Sequence, residues 1–149
     1  MAITVPIMGT YTHNLDGKNR FFIPAKHREA LGSIFVIYPN IRDEHSLVVS
    51  SLEVFEEHMR KINENTVLTG EEKYEIIMFL NRNGDTLSPD AQGRVIISSS
   101  LVKMAGLSGP TVIAGCYSHA EIYPAQRFED EENKTDISRL RQRYKEANL

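Results

Sequence analysis

One eight-residue pattern occurs twice in the chain. The stretch DGKNRFFI at residues 16–23 recurs as DAQGRVII at residues 90–97, an offset of 74 positions. The same register carries ALG at 30–32 onto MAG at 104–106. Self-similarity at a fixed spacing is typical of a duplicated structural unit. The repeat therefore predicts two copies of one small fold within the chain.

Each copy predicts the same order of short elements, β-β-α-β-β-α. A turn joins the first two strands and is followed by a short helix, which we place at 25–31 in the first copy and 100–105 in the second. Two more strands and a closing helix complete each unit. The residues that form the two turns are Asp16, Asn19, Asp90 and Gly93.

Capping patterns place the longer helices. Ser50-x-x-Glu53 predicts the start of a helix at 52–63, and Thr69-x-x-Glu72 predicts a second helix that bridges the two units. The continuous apolar runs at 21–23 and 35–37 indicate strands that are covered on both sides. We divide the chain into a first repeat, a bridging helix, a second repeat and a C-terminal amphipathic helix, at residues 8–65, 66–82, 83–130 and 131–149.

Composition and cysteine content limit the class of protein. The chain has 149 residues, 41% hydrophobic and 25% charged, which is typical of a folded globular protein. Without an apolar run of about 18 residues or a leader-like start, we expect a cytoplasmic protein that does not enter a membrane. The single cysteine, Cys116, is predicted to be a small core residue. Because we identify neither a CxxC pair nor a Cys/His spacing typical of zinc sites, we expect no metal and no cofactor.

Charge is distributed unevenly along the sequence. The net charge is −3, yet residues 17–28 contain four Lys and Arg residues and no acid. His27 lies in the same run and is interpreted as a surface neighbour. Residues 43–75 contain nine acidic residues against three basic ones. This pattern predicts a basic face that is able to meet phosphate groups and an acidic face elsewhere.

The two motifs resemble those of a known family. MGTYTHNLDGKNR at 8–20, followed by IPAK at 23–26, is similar to the signature of the MraZ family, as is DAQGR at 90–94, and the similarity covers essentially the whole chain. The resemblance implies a β-rich α+β fold of two tandem AbrB-like swapped-hairpin units in a pseudo-twofold barrel, with subunits in an octamer-like ring. It also implies a nucleoid-associated repressor that binds repeated double-stranded DNA sites upstream of the division and cell-wall gene cluster.

The departures from the family pattern affect the candidate site. Asn19 stands where the family has Gly, and Asn tolerates a left-handed turn. Ser98 and Val102 stand where Pro and Arg are common, so the second copy is the weaker candidate for a DNA contact. The candidate DNA-binding residues are Lys18, Arg20, Lys26, Arg28 and Arg94.

Two other interpretations stay open. Arg20 is suited to a phosphate or a guanine edge, but also to an ion pair with Asp16 that fixes the turn. Without a Walker loop, HExxH, nucleophile elbow or dinucleotide fingerprint, we expect neither an enzyme nor a small-molecule substrate. The alternative function is a ring-forming protein-interaction scaffold or antitoxin-like module without DNA specificity.

Overall fold

The computed structural model describes residues 5–149, which form eight strands and six helices. The first copy contains β1 (Thr10–Leu15), β2 (Arg20–Phe22), α1 (Ala25–Leu31), β3 (Phe35–Pro39), β4 (Leu47–Ser51) and α2 (Leu52–Glu64). The bridging helix is α3 (Gly70–Arg82). The second copy contains β5 (Asp85–Leu87), β6 (Arg94–Ile96), α4 (Ser99–Ala105), β7 (Gly109–Gly115), β8 (Ala120–Pro124) and α5 (Ala125–Asn133), and α6 (Ile137–Glu146) follows. The duplicated β-β-α-β-β-α order is confirmed.

The two copies exchange their N-terminal hairpins. Strand β1 pairs with β7 of the second copy, β5 pairs with β3 of the first, and β2 pairs with β6, all antiparallel. The resulting six-stranded sheet has the order β1-β7-β8-β4-β3-β5, which reads the same when the copies are interchanged. This sheet is open, with β1 and β5 at its edges, and β2-β6 forms a separate two-stranded ribbon. The mixed strand and helix fold is confirmed, whereas closure into a barrel stays a prediction.

Apolar side chains cover both faces of the sheet. On one face, Phe35 and Ile37 pack with the ribbon residues Phe21 and Val95 in the larger core cluster. On the opposite face, a smaller cluster is covered by α2 and α3 and includes Val36, Tyr38, Val48 and Leu80. The run at 35–37 is thus buried from both sides, as predicted. The run at 21–23 is not, because Phe22 faces away from the sheet and is only half-buried.

Side-chain caps fix the starts of the two long helices. Ser51, not Ser50, caps α2, and its hydroxyl accepts a hydrogen bond from the Val54 N–H at 3.1 Å. The predicted Ser50 cap is therefore wrong by one residue, because Ser50 is fully buried within the sheet, whereas Ser51, the last residue of β4, is only half-buried and precedes α2 directly. The Thr69 capping box is confirmed, with Thr69 and Glu72 each accepting from the other's backbone N–H. Within residues 5–149, no helix has the length and apolar character needed to cross a membrane.

Each hairpin turn is held by the other copy. The backbone N–H of Ile23 donates to the Gly93 carbonyl at 2.9 Å, and the N–H of Ile97 donates to the Asn19 carbonyl at 2.9 Å. Gly93 has φ +83°, and a Cβ at this position would lie 2.8 Å from the guanidinium carbon of Arg28 on α1. Glycine at position 93 thus suits the backbone conformation of the second turn and leaves room for the Arg28 guanidinium, which would have to shift if a Cβ were present.

We expect Gly93→Ala to destabilise the fold more than Gly106→Ala. Gly106 also has positive φ, at +69°, but a Cβ there meets nothing within 4 Å. Gly106→Ala should lower the free energy of unfolding by about 1–2 kcal/mol through backbone strain alone. Gly93→Ala should lower it by about 1 kcal/mol more, because Arg28 would lose its hydrogen bond to the Ile23 carbonyl. Urea denaturation of both variants checks this, and equal losses would contradict it.

Candidate nucleic-acid interface

The two hairpin turns have the same geometry. In the first, the Asp16 carbonyl accepts from the Asn19 N–H at 3.0 Å, and Asn19 has φ +59°. In the second, the Asp90 carbonyl accepts from the Gly93 N–H at 2.9 Å, with the positive φ at Gly93. Three-residue loops with a left-handed final residue are a common hairpin connection. Asn19 in the first turn and Gly93 in the second therefore occupy equivalent positions, and each supplies the residue with positive φ.

An aspartate carboxylate organises each turn. One oxygen of Asp16 accepts from the backbone N–H groups of Lys18 and Arg20, at 2.9 and 2.8 Å, and the other accepts from Arg20 Nε at 2.6 Å. Asp90 accepts in the same way from Gln92 N–H, Arg94 N–H and Arg94 Nε, at 2.9, 2.9 and 3.0 Å. The backbone bond from the arginine, with the side-chain bond in support, lowers the pKa of each aspartate. Both carboxylates are thus held as anions that anchor the turns.

The ion pair with Asp16 involves only one of the three guanidinium nitrogens of Arg20. Each arginine binds its aspartate through Nε, and no hydrogen bond found in residues 5–149 engages the Nη atoms of Arg20 or Arg94. About a third of each side chain is exposed, 35% for Arg20 and 36% for Arg94. The turn-fixing and ligand-binding interpretations of Arg20 are therefore compatible, because different nitrogens serve each role.

The β2-β6 ribbon places both arginines on one surface. Phe21 lies opposite Val95 in the register, and this central pair faces the core. Since side chains alternate along a strand, the flanking residues point outward. This outer face of the ribbon carries Arg20, Phe22, Arg94 and Ile96. Arg20 lies opposite Ile96 and therefore diagonal to Arg94, which puts the two Cα atoms roughly 7–8 Å apart.

Of the other predicted cations, Arg28 lies beside this surface, whereas Lys18 and Lys26 are exposed elsewhere on the turn and on α1. Arg28 donates from Nε to the Ile23 carbonyl at 3.0 Å, and its guanidinium lies 5.7 Å from the centre of the Phe22 ring, beside the ribbon's outer face. Lys18 is exposed at the tip of the first turn. Lys26 is exposed on α1 but does not share a side of the helix with Arg28, because residues two apart on a helix point in different directions.

His27 does not belong to the positive surface, and its interpretation as a surface residue is wrong. It is fully buried with Leu31 on the inward side of α1, with Nε2 2.8 Å from the Met8 carbonyl and its ring edge-on to Tyr11. Burial lowers the pKa of His27. The side chain is therefore a neutral core group at physiological pH.

The acidic segment predicted at 43–75 is separated from the ribbon by the sheet. Most of its glutamates lie on α2 and at the start of α3, and these helices cover the sheet face opposite the ribbon. Strands that exchange between two copies, together with an outward arginine pair on a two-stranded ribbon, define the class of this protein. It is a tandem swapped-hairpin protein with a cationic ribbon suited to nucleic acid.

The comparisons with known proteins identify the family. The chain matches the family described as "MraZ protein, putative antitoxin-like" over residues 7–73 and 79–147. It is 36% identical to the transcriptional regulator MraZ of Mycoplasma mobile, over 91% of this chain and 94% of that protein. It is 32% identical to that of Saccharopolyspora erythraea, over the same shares, and 29% identical to that of Clostridium tetani, over 83% and 84%. The chain belongs to the MraZ family, which confirms the resemblance.

One cluster escaped the sequence analysis. The β7–β8 turn brings together Cys116, His119 and Glu121, and Cys116 is half-buried rather than a core residue. The signal was the Cys116-x-x-His119 spacing, with Glu121 two residues further on. The spacing alone does not show that a turn folds His119 back beside the cysteine.

We expect the buried His27 to make the fold sensitive to acid. Its pKa lies below the ordinary value of 6.5, so the unfolded chain binds this proton more readily. The free energy of unfolding should then fall as the pH drops below about 6.5. Urea midpoints at pH 7.5 and 5.5 should differ less for His27→Gln than for the parent. Burial also lowers the pKa of His58, so part of the acid-induced loss of stability should remain in His27→Gln.

The control for this measurement is His45→Gln. His45 is exposed in the loop after β3. Its replacement should leave the acid-induced loss of stability as it is in the parent. An unchanged loss in His27→Gln would show that the imidazole is not the group responsible.

Proposed function

We propose that this chain is a DNA-binding transcription regulator that reads duplex DNA with the outer face of its β2-β6 ribbon. The observation that carries the proposal is the pair of outward arginines, Arg20 and Arg94, held in place by Asp16 and Asp90. A two-stranded ribbon fits the major groove of B-form DNA, and arginine is the residue most often used to read guanine there. The names of the relatives, all transcriptional regulators, support the same conclusion.

The aspartates prepare the arginines for binding. An unrestrained arginine loses rotamer freedom when it binds, which weakens the complex. Here the Nε bond to aspartate orients each guanidinium before DNA arrives, while the Nη donors stay available for a phosphate or for guanine O6 and N7. Because the ribbon relates the two arginines by its pseudo-twofold symmetry, they present equivalent donors to neighbouring base pairs or phosphates. Arg28 and Lys18 are placed to add phosphate contacts at the side.

Assembly supplies the rest of the affinity. One ribbon offers few cations, so we propose that several copies form a homo-oligomeric ring of octamer-like size that engages repeated sites in one duplex. The apolar residues Ile137, Leu140 and Tyr144 share one face of α6 and are 51%, 45% and 61% exposed, which supports burial against another copy. The open sheet edges at β1 and β5 give a second place where chains could meet.

The biological setting of the proposal rests on the family resemblance. We propose that the ring acts in the cytoplasm on the nucleoid and represses the operon of division and cell-wall genes by occupying repeats upstream of it. Closure of the exchanged hairpins into a barrel belongs to the same proposal. The second candidate function is a ring-forming or antitoxin-like scaffold. The exposed apolar face of α6 is compatible with it, if that face is covered by another protein and not by a second copy of this chain.

We expect Arg20→Ala and Arg94→Ala each to weaken binding to the duplex upstream of the protein's own operon. The loss of one fixed arginine should reduce affinity by about 1–3 kcal/mol per ribbon, or roughly 5- to 150-fold, and more where several ribbons bind together. Fluorescence anisotropy at low and moderate salt, with an unrelated duplex of equal length, measures the loss. The salt dependence should also become shallower, since fewer phosphates are neutralised.

Two further variants make this experiment specific. Arg60→Ala removes an exposed arginine from α2, on the other side of the sheet, and should bind as the parent does. Arg20→Lys keeps the charge but loses the planar fork, so it should lose discrimination between the duplexes more than total affinity. All variants should keep the parent's mass in solution. Equal and weak binding to both duplexes by the parent itself would favour the scaffold.

We expect Leu140→Glu to break the oligomer. A carboxylate in the middle of the apolar face of α6 would be buried without a partner in the assembled ring. Size-exclusion chromatography with light scattering should show the parent as a multimer and Leu140→Glu as smaller species. Gln142→Glu adds the same charge about half a turn away and should leave the mass unchanged. If the parent is a multimer and the Leu140→Glu variant has the same mass, the α6 face is not the interface.

A further inference from the structure

The β7–β8 turn gathers three metal-ligand side chains on the side of the molecule away from the ribbon. The Cys116 N–H donates to the His119 carbonyl at 2.8 Å, and Tyr117 between them has φ +70°, so the chain reverses sharply. Glu121 follows on β8 opposite Val48, which belongs to the cluster beneath α2 and α3. One ligand atom each from Cys116, His119 and Glu121 lies within 4.8 Å of the other two.

The distances within this cluster fit a small divalent ion. Cys116 Sγ lies 3.5 Å from Glu121 Oε1, and His119 Nε2 lies 3.7 Å from Glu121 Oε2. Zinc bonds of about 2.0–2.3 Å in a tetrahedron separate neighbouring ligand atoms by about 3.3–3.8 Å. We propose that Cys116, His119 and Glu121 form a binding site for a divalent transition-metal ion, with Zn²⁺ favoured by the sulfur, nitrogen and oxygen donors.

Neighbouring residues orient the ligands. The Tyr123 hydroxyl donates to Glu121 Oε1 at 2.7 Å, and Asn40 Nδ2 donates to Oε2 at 3.0 Å. Ser118 Oγ lies 3.1 Å from His119 Nδ1, which leaves Nε2 for the ion. Metal-binding histidines and carboxylates usually have such partners, which fix ring orientation and ligand position. These hydrogen bonds therefore hold His119 and Glu121 in position without an ion, as the neighbours of metal ligands usually do.

The charge of the cluster also favours a cation. Both carboxylate oxygens of Glu121 accept hydrogen bonds from neutral donors, so a carboxylate lies in a half-buried place. Without metal, the half-buried Cys116 thiol donates to Glu121 Oε1. On binding, the metal–sulfur bond forms as the S–H bond breaks, and the proton passes to solvent.

A cavity gives the ion access and leaves coordination positions open. Its volume is about 690 Å³, and its lining includes the three ligands together with Tyr38 and His58. His58 lies on α2 of the first copy, and the nearby His119 contributes to lowering the His58 pKa after burial does. The site thus lies where the β7–β8 turn of the second copy faces α2 of the first.

Cobalt binding tests the proposal directly. The full-length reduced protein, freed of metal by chelator and dialysis, is titrated with Co²⁺ and then with Zn²⁺. We expect one Co²⁺ per chain, with a thiolate-to-cobalt charge-transfer band in the near ultraviolet and the visible bands of a tetrahedral ion, both lost when Zn²⁺ displaces it. Zn²⁺ should also protect Cys116, the only cysteine, from alkylation by a maleimide.

Variants separate this site from incidental binding. Cys116→Ser should abolish the charge-transfer band, and His119→Ala should weaken Co²⁺ binding at least tenfold. Tyr123→Phe keeps all three ligands but loses the support to Glu121, and should weaken binding by roughly 10-fold. His45→Ala, which removes an exposed histidine beside Glu44, should bind as the parent does. Absence of the charge-transfer band in the folded parent, or an unchanged spectrum in Cys116→Ser, would overturn the proposal.

Discussion

The exchange of hairpins between the two copies is the constraint on which the rest of the structure depends. Without it, β2 has no strand to pair with, and Phe21 has no core to enter. Strands β3 and β7 would each lose a neighbour, β5 and β1 respectively. A unit of about 60 residues buries a small share of its surface and is only marginally stable by itself. Within one chain, the two copies form one shared sheet and so bury more apolar surface together. The same exchange of hairpins pairs β2 with β6 and forms the ribbon.

The ribbon also explains why one motif serves both stability and function. Asp16 must accept two backbone N–H groups to close the turn, and the same carboxylate then meets Arg20 Nε. The backbone bonds do most to close the turn, and an exposed ion pair of this kind adds only a little further stability. Its position at the start of a ribbon strand instead puts the Nη donors on the outer face. The second copy repeats this arrangement in full, although Ser98 and Val102 depart from the family pattern.

Much of the fold could be predicted because its signals are local. The offset of 74, the glycine after α1 and the Thr69 capping box place most elements to within two residues. The wrong predictions concern residues whose position depends on tertiary contacts. Ser50 and Ser51 are both plausible caps until the strand register buries the first. His27 lies in a basic run, but the helix turns it inward with Leu31. The partner of each strand, and the meeting of Cys116 with Glu121, are tertiary facts, and the hairpin exchange was expected only through family resemblance.

The separation of charge resolves the apparent conflict between a net charge of −3 and the proposed DNA-binding surface. The ribbon, the six-stranded sheet and the α2-α3 layer lie one behind another, and packed layers are about 10 Å apart. The acidic helices are therefore about 20 Å from a phosphate that touches the ribbon. The Debye length at physiological ionic strength is about 8 Å, so their repulsion is largely screened. The electrostatic field at the outer face of the ribbon is therefore set mainly by Arg20, Arg94 and Arg28, and the net charge of the chain does not argue against the proposed function.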